Sequence, residues 1–371
     1  MPSCLTDQEQ ITTFRRFLNL RKVLSLKIIY KMKANQLIEN LEKIKNVKVA
    51  VYGDFCLDAY WFLDPRGGEI SAETGLHSQA VQKHYYSLGG ASNVVANLAA
   101  LEPAKIKVIG VIGKDIFGRE LIRKFKGLGV DHESLVFQDE NFDTVTFSKI
   151  ILDGKEQPRM DFGFFNRRSQ HTDDKIISGL FDALQTTDAL IFNQQVPGSL
   201  NNKKFIHDVN SILDQFNEKI VLLDTRHYGD KFRNIYRKTN TVEAARLNGI
   251  AANVLDQISF EATKSHAQKL YDDSGKPVFI TRGSKGILVV DSSGSHEIPG
   301  IELSKPIDPV GAGDTVVSAM ALCLGAGLKP VEAAEFANLA AAVTVQKLFM
   351  TGTASGKEML DLCQEIGYIK R

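Results

Sequence analysis

The feature that most constrains the fold is a rhythm in which short apolar runs alternate with helical patterns. Strand-like runs occur at 48–53 (KVAVYG), 106–113 (IKVIGVIG), 188–193 (DALIFN), 219–225 (KIVLLDT) and 277–291 (PVFITRGSKGILVVD). Helical spacing of apolar residues fills Ala91–Leu101, Gly118–Leu128, Asp173–Leu184 and Asn201–Phe216, and most of these lead straight into the next strand. This order predicts an α/β fold, a mostly parallel sheet with helices on both faces. Ligands of such sheets lie beyond the carboxyl ends of the strands, and here several strands end in Gly53-Asp54, Asn193, Asp224 and Thr281-Arg282-Gly283.

Two segments break the rhythm. Residues 59–88 and 139–165 are rich in β-branched and aromatic side chains with turn signals between them, and 146–154 is a further strand-like run. They predict a small projecting sheet, able to close over a ligand or to pair with a second copy as a homodimer. No repeat and no low-complexity linker interrupts residues 32–371, which read as one domain.

A chain of 371 residues, 43% of them hydrophobic, can bury a large core. Its 45 basic and 44 acidic residues nearly cancel, which argues against a nucleic-acid or membrane-surface partner and for a small ligand. Cys4, Cys56, Cys323 and Cys363 stand far apart without a C-x-x-C pair, so neither zinc nor a disulfide is expected, and a cytoplasmic location is. The first 31 residues differ: the stretch FRRFLNLRKVLSLKIIYKMK carries seven basic residues, and Lys27 breaks the only apolar run. A secretory signal needs about 7–15 uninterrupted apolar residues, so residues 1–31 are expected to be a poorly ordered basic extension, or sequence ahead of a start at Met32; a transit peptide is the alternative.

The stretch PIDPVGAGDTVVSAMALCLGAG, Pro306 to Gly327, places Asp314 at the mouth of a buried helix. The first N–H groups of a helix lack partners and its dipole favours negative charge, so Gly311, Ala312 and Gly313 can bring backbone close to an anion. An ordinary N-cap aspartate is the competing reading. In SLGGASNVVANLAAL, Gly89 and Gly90 open another helix, with Asn93 and Asn97 on one face where two amides could reach one polyol. Asn240 and Glu243 fit either a capping box or a Mg²⁺-phosphate site. TGTASGKEM, 351–359, fails the phosphate-loop pattern by spacing and by Glu358 at the hydroxyl position, and reads as a C-terminal loop.

Together the motifs YGDFCLD, GGASNVVAN, GVIGKDIFG, NTVE, TRGSKG, DPVGAGDT and FANLAAAVTV resemble the ribokinase-like (PfkB-type) carbohydrate kinases over roughly residues 46–356. GDFCLDAYW, EIS, RMDF and DTR are most similar to the heptose-phosphate kinase branch. The resemblance implies a three-layer α/β/α sandwich with a β-sheet lid, ATP and Mg²⁺ as cofactors, K⁺ in some members, and a sugar or sugar phosphate as acceptor. It makes Asp314 the catalytic base and Gly311, Ala312 and Gly313 the anion hole. Asp54, Asp58, Gly89, Gly90, Asn93 and Arg159 match sugar-pocket positions, while Arg226, Asn240, Thr281, Gly283, Gly286 and Asn338 match nucleotide positions. Glu243 matches the residue that holds Mg²⁺ through water, and Asp308 lies near the monovalent-cation site. Two basic positions of the heptose branch are lost, one at Ala59 and one within NQQVPG, 193–198. A nucleoside or small-alcohol kinase, or a silent sugar- or nucleotide-binding protein, are the alternatives.

Overall fold

The computed structural model describes residues 32–199, 202–348 and 351–365. The basic extension, residues 1–31, and Cys4 within it lie outside them. The chain begins with α1 (Ala34–Ile44), β1 (Lys48–Gly53), β2 (Phe55–Asp64), β3 (Ala80–Gly90), α2 (Ala91–Ala100) and β4 (Lys105–Gly113). It continues through α3 (Ile116–Gly127), β5 (Leu135–Gln138), β6 (Thr146–Leu152), β7 (Lys155–Glu156), β8 (Met160–Phe162) and α4 (Gln170–Thr186). Next come β9 (Ala189–Gln194), α5 (Lys203–Gln215), β10 (Ile220–Thr225), β11 (Tyr236–Asn240), α6 (Thr241–Leu247) and α7 (Phe260–Ser274). The last part holds β12 (Val278–Thr281), β13 (Ile287–Asp291), β14 (Gly294–Ile298), α8 (Ala312–Gly325), α9 (Pro330–Thr344) and α10 (Gly356–Glu365).

Nine strands form the main sheet in the order β14-β13-β12-β11-β10-β9-β1-β4-β5. It is parallel from β5 to β12, and β13 and β14 add an antiparallel edge. Side chains alternate across a strand, so one strand serves two cores. Val49 and Val51 of β1 pack with α1, α2, α8, α9 and α10, whereas Ala50 and Tyr52 pack with α4 and α5. The same alternation in β12 sends Phe279 to the first core and Val278 and Ile280 to α6 and α7. Each fully buried leucine or phenylalanine in these layers stabilises the fold by roughly 1.5–3 kcal/mol.

Side-chain caps set where the outer helices start: Asp115 accepts from Gly118 N–H at 2.7 Å, Ser169 from Thr172 N–H at 3.1 Å, and Ser259 from Ala262 N–H at 3.2 Å. Each such cap contributes about 1 kcal/mol. TGTASGKEM is not wholly a loop, because Ser355 and Glu358 hydrogen-bond reciprocally and start α10 at Gly356.

The second sheet has the order β3-β2-β6-β7, with β8 also paired to β6. β2 leaves the main sheet directly after β1, and only Asp54 separates the two strands. The lid is therefore a continuation of the central strand, and its base lies at the carboxyl edge of the main sheet. Cys56, Cys323 and Cys363 are free and buried. No helix of the described residues is long and apolar enough to cross a membrane.

Candidate active site

Gly311, with φ +81°, is the N-cap of α8, and Asp314 is the third residue of the helix. The capping reading of Asp314 is thereby overturned: its Oδ2 accepts from Asn93 Nδ2 on α2 at 2.7 Å rather than from its own helix. Burial pushes the Asp314 pKa up to about 6 against that hydrogen bond; Asp224 adds to the rise, and Lys238 and Arg226 oppose it. The Ala312 N–H is already taken by Pro309 O at 3.1 Å, while that of Gly313 has no partner among the described residues.

Asn97 does not join Asn93 in facing a ligand. Its Nδ2 donates to Asn93 O at 2.9 Å and its Oδ1 accepts from Thr315 at 2.6 Å, which seals it between α2 and α8. The amide pair aimed at one polyol thus becomes a scaffold: Asn97 fixes the Asn93 turn, and Asn93 fixes the aspartate. Gly90 precedes them at φ +51°, where an added Cβ would lie 2.8 Å from Asp54 O and 2.9 Å from Cys56 Sγ. Only glycine fits that corner. A Cβ on Gly89 would meet the Asp58 carboxyl carbon at 3.3 Å.

Asp314 opens into a cavity of about 400 Å³, lined also by Gly90, Phe147, Arg159, Gln195, Arg226 and His227. A second cavity, of about 670 Å³, is lined by Arg226, His227, Asn240, Glu243, Arg246, Thr281, Gly283 and Lys285. Arg226 and His227 belong to both, so one turn after β10 joins the two spaces. A third cavity, of about 400 Å³, contains Asp54 and Arg168 and shares Val145, Gly163, Phe164, Val196 and Pro197 with the first.

Asp54 Oδ2 accepts from the N–H groups of Gln195 and Val196, each at 2.9 Å, and so pins the NQQVPG segment. Burial raises its pKa to about 6 despite those two bonds. Asp58 is buried, and burial raises its pKa while Lys149 and Arg159 resist. Lys149 Nζ lies 3.5 Å from Asp58 Oδ1 and 3.0 Å from Tyr60 Oη. β6 thus places a cation beside Asp58, one strand over from Ala59. Arg159 stacks on Phe147 at 4.3 Å and pairs with Asp161 at 2.5 Å.

Asn240 and Glu243 form both halves of a capping box, with bonds of 2.8 and 2.9 Å. Only Oε2 of Glu243 is used in it, and the residue lines the second cavity. Thr281 Oγ1 donates to Thr239 O at 3.2 Å beside it. Two residues matched to the nucleotide do not reach this cavity. Asn338 donates to Pro299 O at 2.9 Å, and Gly286, at φ +86°, is packed so closely that a Cβ would lie 2.1 Å from Ile298 O. Asp308 Oδ1 accepts from Val310 N–H at 3.0 Å, shaping the loop before α8.

Several residues at the centre were not singled out from sequence. Lys238 is buried on β11, its Nζ 3.0 Å from Asp224 Oδ1, and Asn193 Nδ2 reaches the other Asp224 oxygen at 3.4 Å. The spacing K-x-N-x-x-E carries the missing signal, because in a strand running into Asn240 the residue two positions earlier shares its face. Lys149, Arg168 and His227 were likewise set in place by tertiary structure alone.

The fold is ribokinase-like, and Asp314 stands at a helix mouth in one of two adjoining cavities. The chain belongs to the pfkB family of carbohydrate kinases, whose pattern matches residues 46–354. The bifunctional protein HldE of Helicobacter hepaticus is 31% identical over 309 residues, covering 82% of this chain and 61% of that protein. The chain therefore spans about three fifths of the length of the curated relatives it matches. The likeness to the heptose-phosphate kinase branch holds. Among solved structures, phosphofructokinase-2 from Escherichia coli with substrates and products superposes with TM-score 0.67 at 16% identity, covering 86% of this chain and 99% of that one. Arabidopsis thaliana ribokinase complexed with ribose and ATP gives 0.63 at 20% identity, covering 85% and 98%.

Proposed function

We propose that the chain transfers the γ-phosphoryl group of ATP to a hydroxyl of a sugar or sugar phosphate, with Asp314 as base. One observation carries this reading: a carboxylate with a pKa raised to about 6 stands at a helix N-terminus in the cavity that adjoins a larger cationic one through Arg226 and His227. Phosphoryl transfer asks a protein mainly for positioning and charge stabilisation. The 400 Å³ cavity takes the acceptor, with Asn93 orienting Asp314, Gly90 in the lining and Gly89 directly before it in β3. Asp54, Asp58 and Arg159 bind its other hydroxyls or its distal group. The 670 Å³ cavity takes the phosphate chain against Arg226, Asn240, Thr281 and Gly283. Gly286 and Asn338 support the nucleotide indirectly, by shaping the loop at Pro299.

A Mg²⁺ ion fits Glu243, since one carboxylate oxygen remains outside the capping box and Mg²⁺ is commonly held by one or two acids, waters and phosphates. When bound there it would neutralise phosphate charge. Asp308 is the candidate neighbour of a K⁺ ion. The Gly313 N–H and the α8 dipole meet charge on the transferring group, and Asp314 takes the acceptor proton. The lid sheet closes over the acceptor and pairs with a second copy as a homodimer. Buried free thiols suit a reducing cytoplasm.

The test is ADP release measured across free and phosphorylated pentoses, hexoses and heptoses. Lys149 returns one positive charge near the site that Ala59 leaves neutral, so both neutral and phosphorylated acceptors belong in the screen. Nucleotide binding without turnover on any polyol, nucleoside or small alcohol would replace the kinase with a silent binding protein.

A further inference from the structure

Gly311 and Gly313 occupy the same motif for different reasons. Gly311 is left-handed, but Gly313 lies in regular helix, where glycine costs about 1 kcal/mol relative to alanine. A Cβ at Gly313 would sit 3.1 Å from Lys238 Nζ, and beyond its chain neighbours and its own helix backbone no other described atom would lie within 4 Å. The missing side chain is therefore clearance for an ammonium group. That ammonium rises from the floor of the main sheet, on a lysine only 6% exposed, to the underside of the first turn of α8. Asp224 holds it at 3.0 Å and is itself held by Asn193. Burial works against its charge, but Asp224, Glu243 and Asp314 around it raise its pKa above that of an ordinary lysine.

We propose that Lys238 is a further catalytic residue: its ammonium, positioned by Asp224 beneath Gly313, contacts the transferring phosphoryl group as negative charge gathers there. This rests on the kinase reading above. The acceptor oxygen bonds to the γ-phosphorus as the bond from that phosphorus to the β,γ-bridging oxygen breaks. The electron pair leaves with ADP, the hydroxyl proton passes to Asp314, and Lys238 stays protonated throughout. Asp224 acts only through Lys238 and is a positioning residue. A buried ion pair contributes little net stability compared with an uncharged pair of similar size, so this one points to a role in charge placement.

Removing one partner alone strands a buried charge and endangers the fold, so the main variant is the neutral pair Lys238→Met with Asp224→Asn. Its melting temperature should stay near that of the parent. Calorimetric titration with MgADP and with the non-hydrolysable ATP analogue AMP-PNP needs no acceptor. The parent should favour the analogue roughly tenfold or more, and the double variant should lose most of that preference, because the charged contact with the γ-phosphate is what it lacks. Turnover on the acceptor found by the screen should fall about 10²–10³-fold. Gly313→Ala, which keeps both charges and favours helix, should show the same loss of preference, and it serves if the double variant does not fold. An unchanged preference in a folded variant overturns the role of Lys238 and leaves the kinase reading standing. A parent that binds neither nucleotide overturns both.

Discussion

Replacing Asp314 by Asn should make the protein inactive and, at neutral pH, more stable. The group's pKa rises from 3.8 to about 6 on folding, chiefly through burial. Each unit is worth about 1.4 kcal/mol, so keeping this carboxylate charged costs the native state up to ~3 kcal/mol. The sign follows from linkage. A raised native pKa means the folded protein holds the proton more tightly, so its stabilising effect is complete below pH 3.8 and is lost as pH climbs through about 6. Asparagine cannot ionise and still offers an oxygen to Asn93 Nδ2. With an unfolding entropy of about 2.1 cal/mol/K per residue for a domain of this size, ~3 kcal/mol corresponds to roughly 4 °C. Asp314→Asn should therefore melt up to about 4 °C above the parent at pH 8, with the gap closing by about pH 4. Its kcat should fall about 10²–10⁴-fold with little change in KM, as for loss of a base used only during transfer. Scanning calorimetry at the two pH values and coupled ADP detection read both effects. Near-parent turnover refutes the base, and identical melting at pH 8 refutes the buried charge.

Further outcomes follow from neighbouring groups. Asn93→Ala removes the donor that lowers the Asp314 pKa, so the acid limb of the pH–rate profile should move upward from about 6; an unmoved limb would separate the two residues. Glu243→Gln keeps the capping box and should leave the melting temperature unchanged while raising the Mg²⁺ concentration for half-maximal rate, and a normal Mg²⁺ titration returns Glu243 to capping alone. Light scattering at micromolar protein should give the mass of a dimer, and deleting the outer lid hairpin should give a monomer. A parent monomer would leave the lid as a flap only.

Much of the scaffold was legible because its strands are apolar runs with clear ends. β1, β4, β9 and β10 fall within one or two residues of expectation, whereas the run 277–291 divides at Arg282–Gly286 into β12 and β13. β11 was not legible: Tyr236–Asn240 reads YRKTN, and its membership in the sheet depends on the Asp224 partner that lets a lysine be buried. β5 is only four residues long and β14 is a polar edge, so neither carries a period. At the site, Asp314, Gly90 and Glu243 were visible as helix-start chemistry. Asn97, Gly286 and Asn338 are held in packing interfaces, which depend on neighbours distant in sequence. Lys149 is set beside Asp58 by strand pairing between β2 and β6, and no local pattern encodes that pairing.

The turn after β10 is held from within, since Thr225 Oγ1 accepts from the N–H groups of both His227 and Tyr228 at 3.4 and 3.2 Å. Arg226 and His227 on that turn border both cavities, so neither ligand can reposition it privately. With acceptor and nucleotide assigned to these cavities as proposed, any coupling through the turn is reciprocal: whatever factor the acceptor imposes on nucleotide affinity, the nucleotide imposes on acceptor affinity. On that assignment, substituting the turn should change how strongly each ligand alters the affinity of the other.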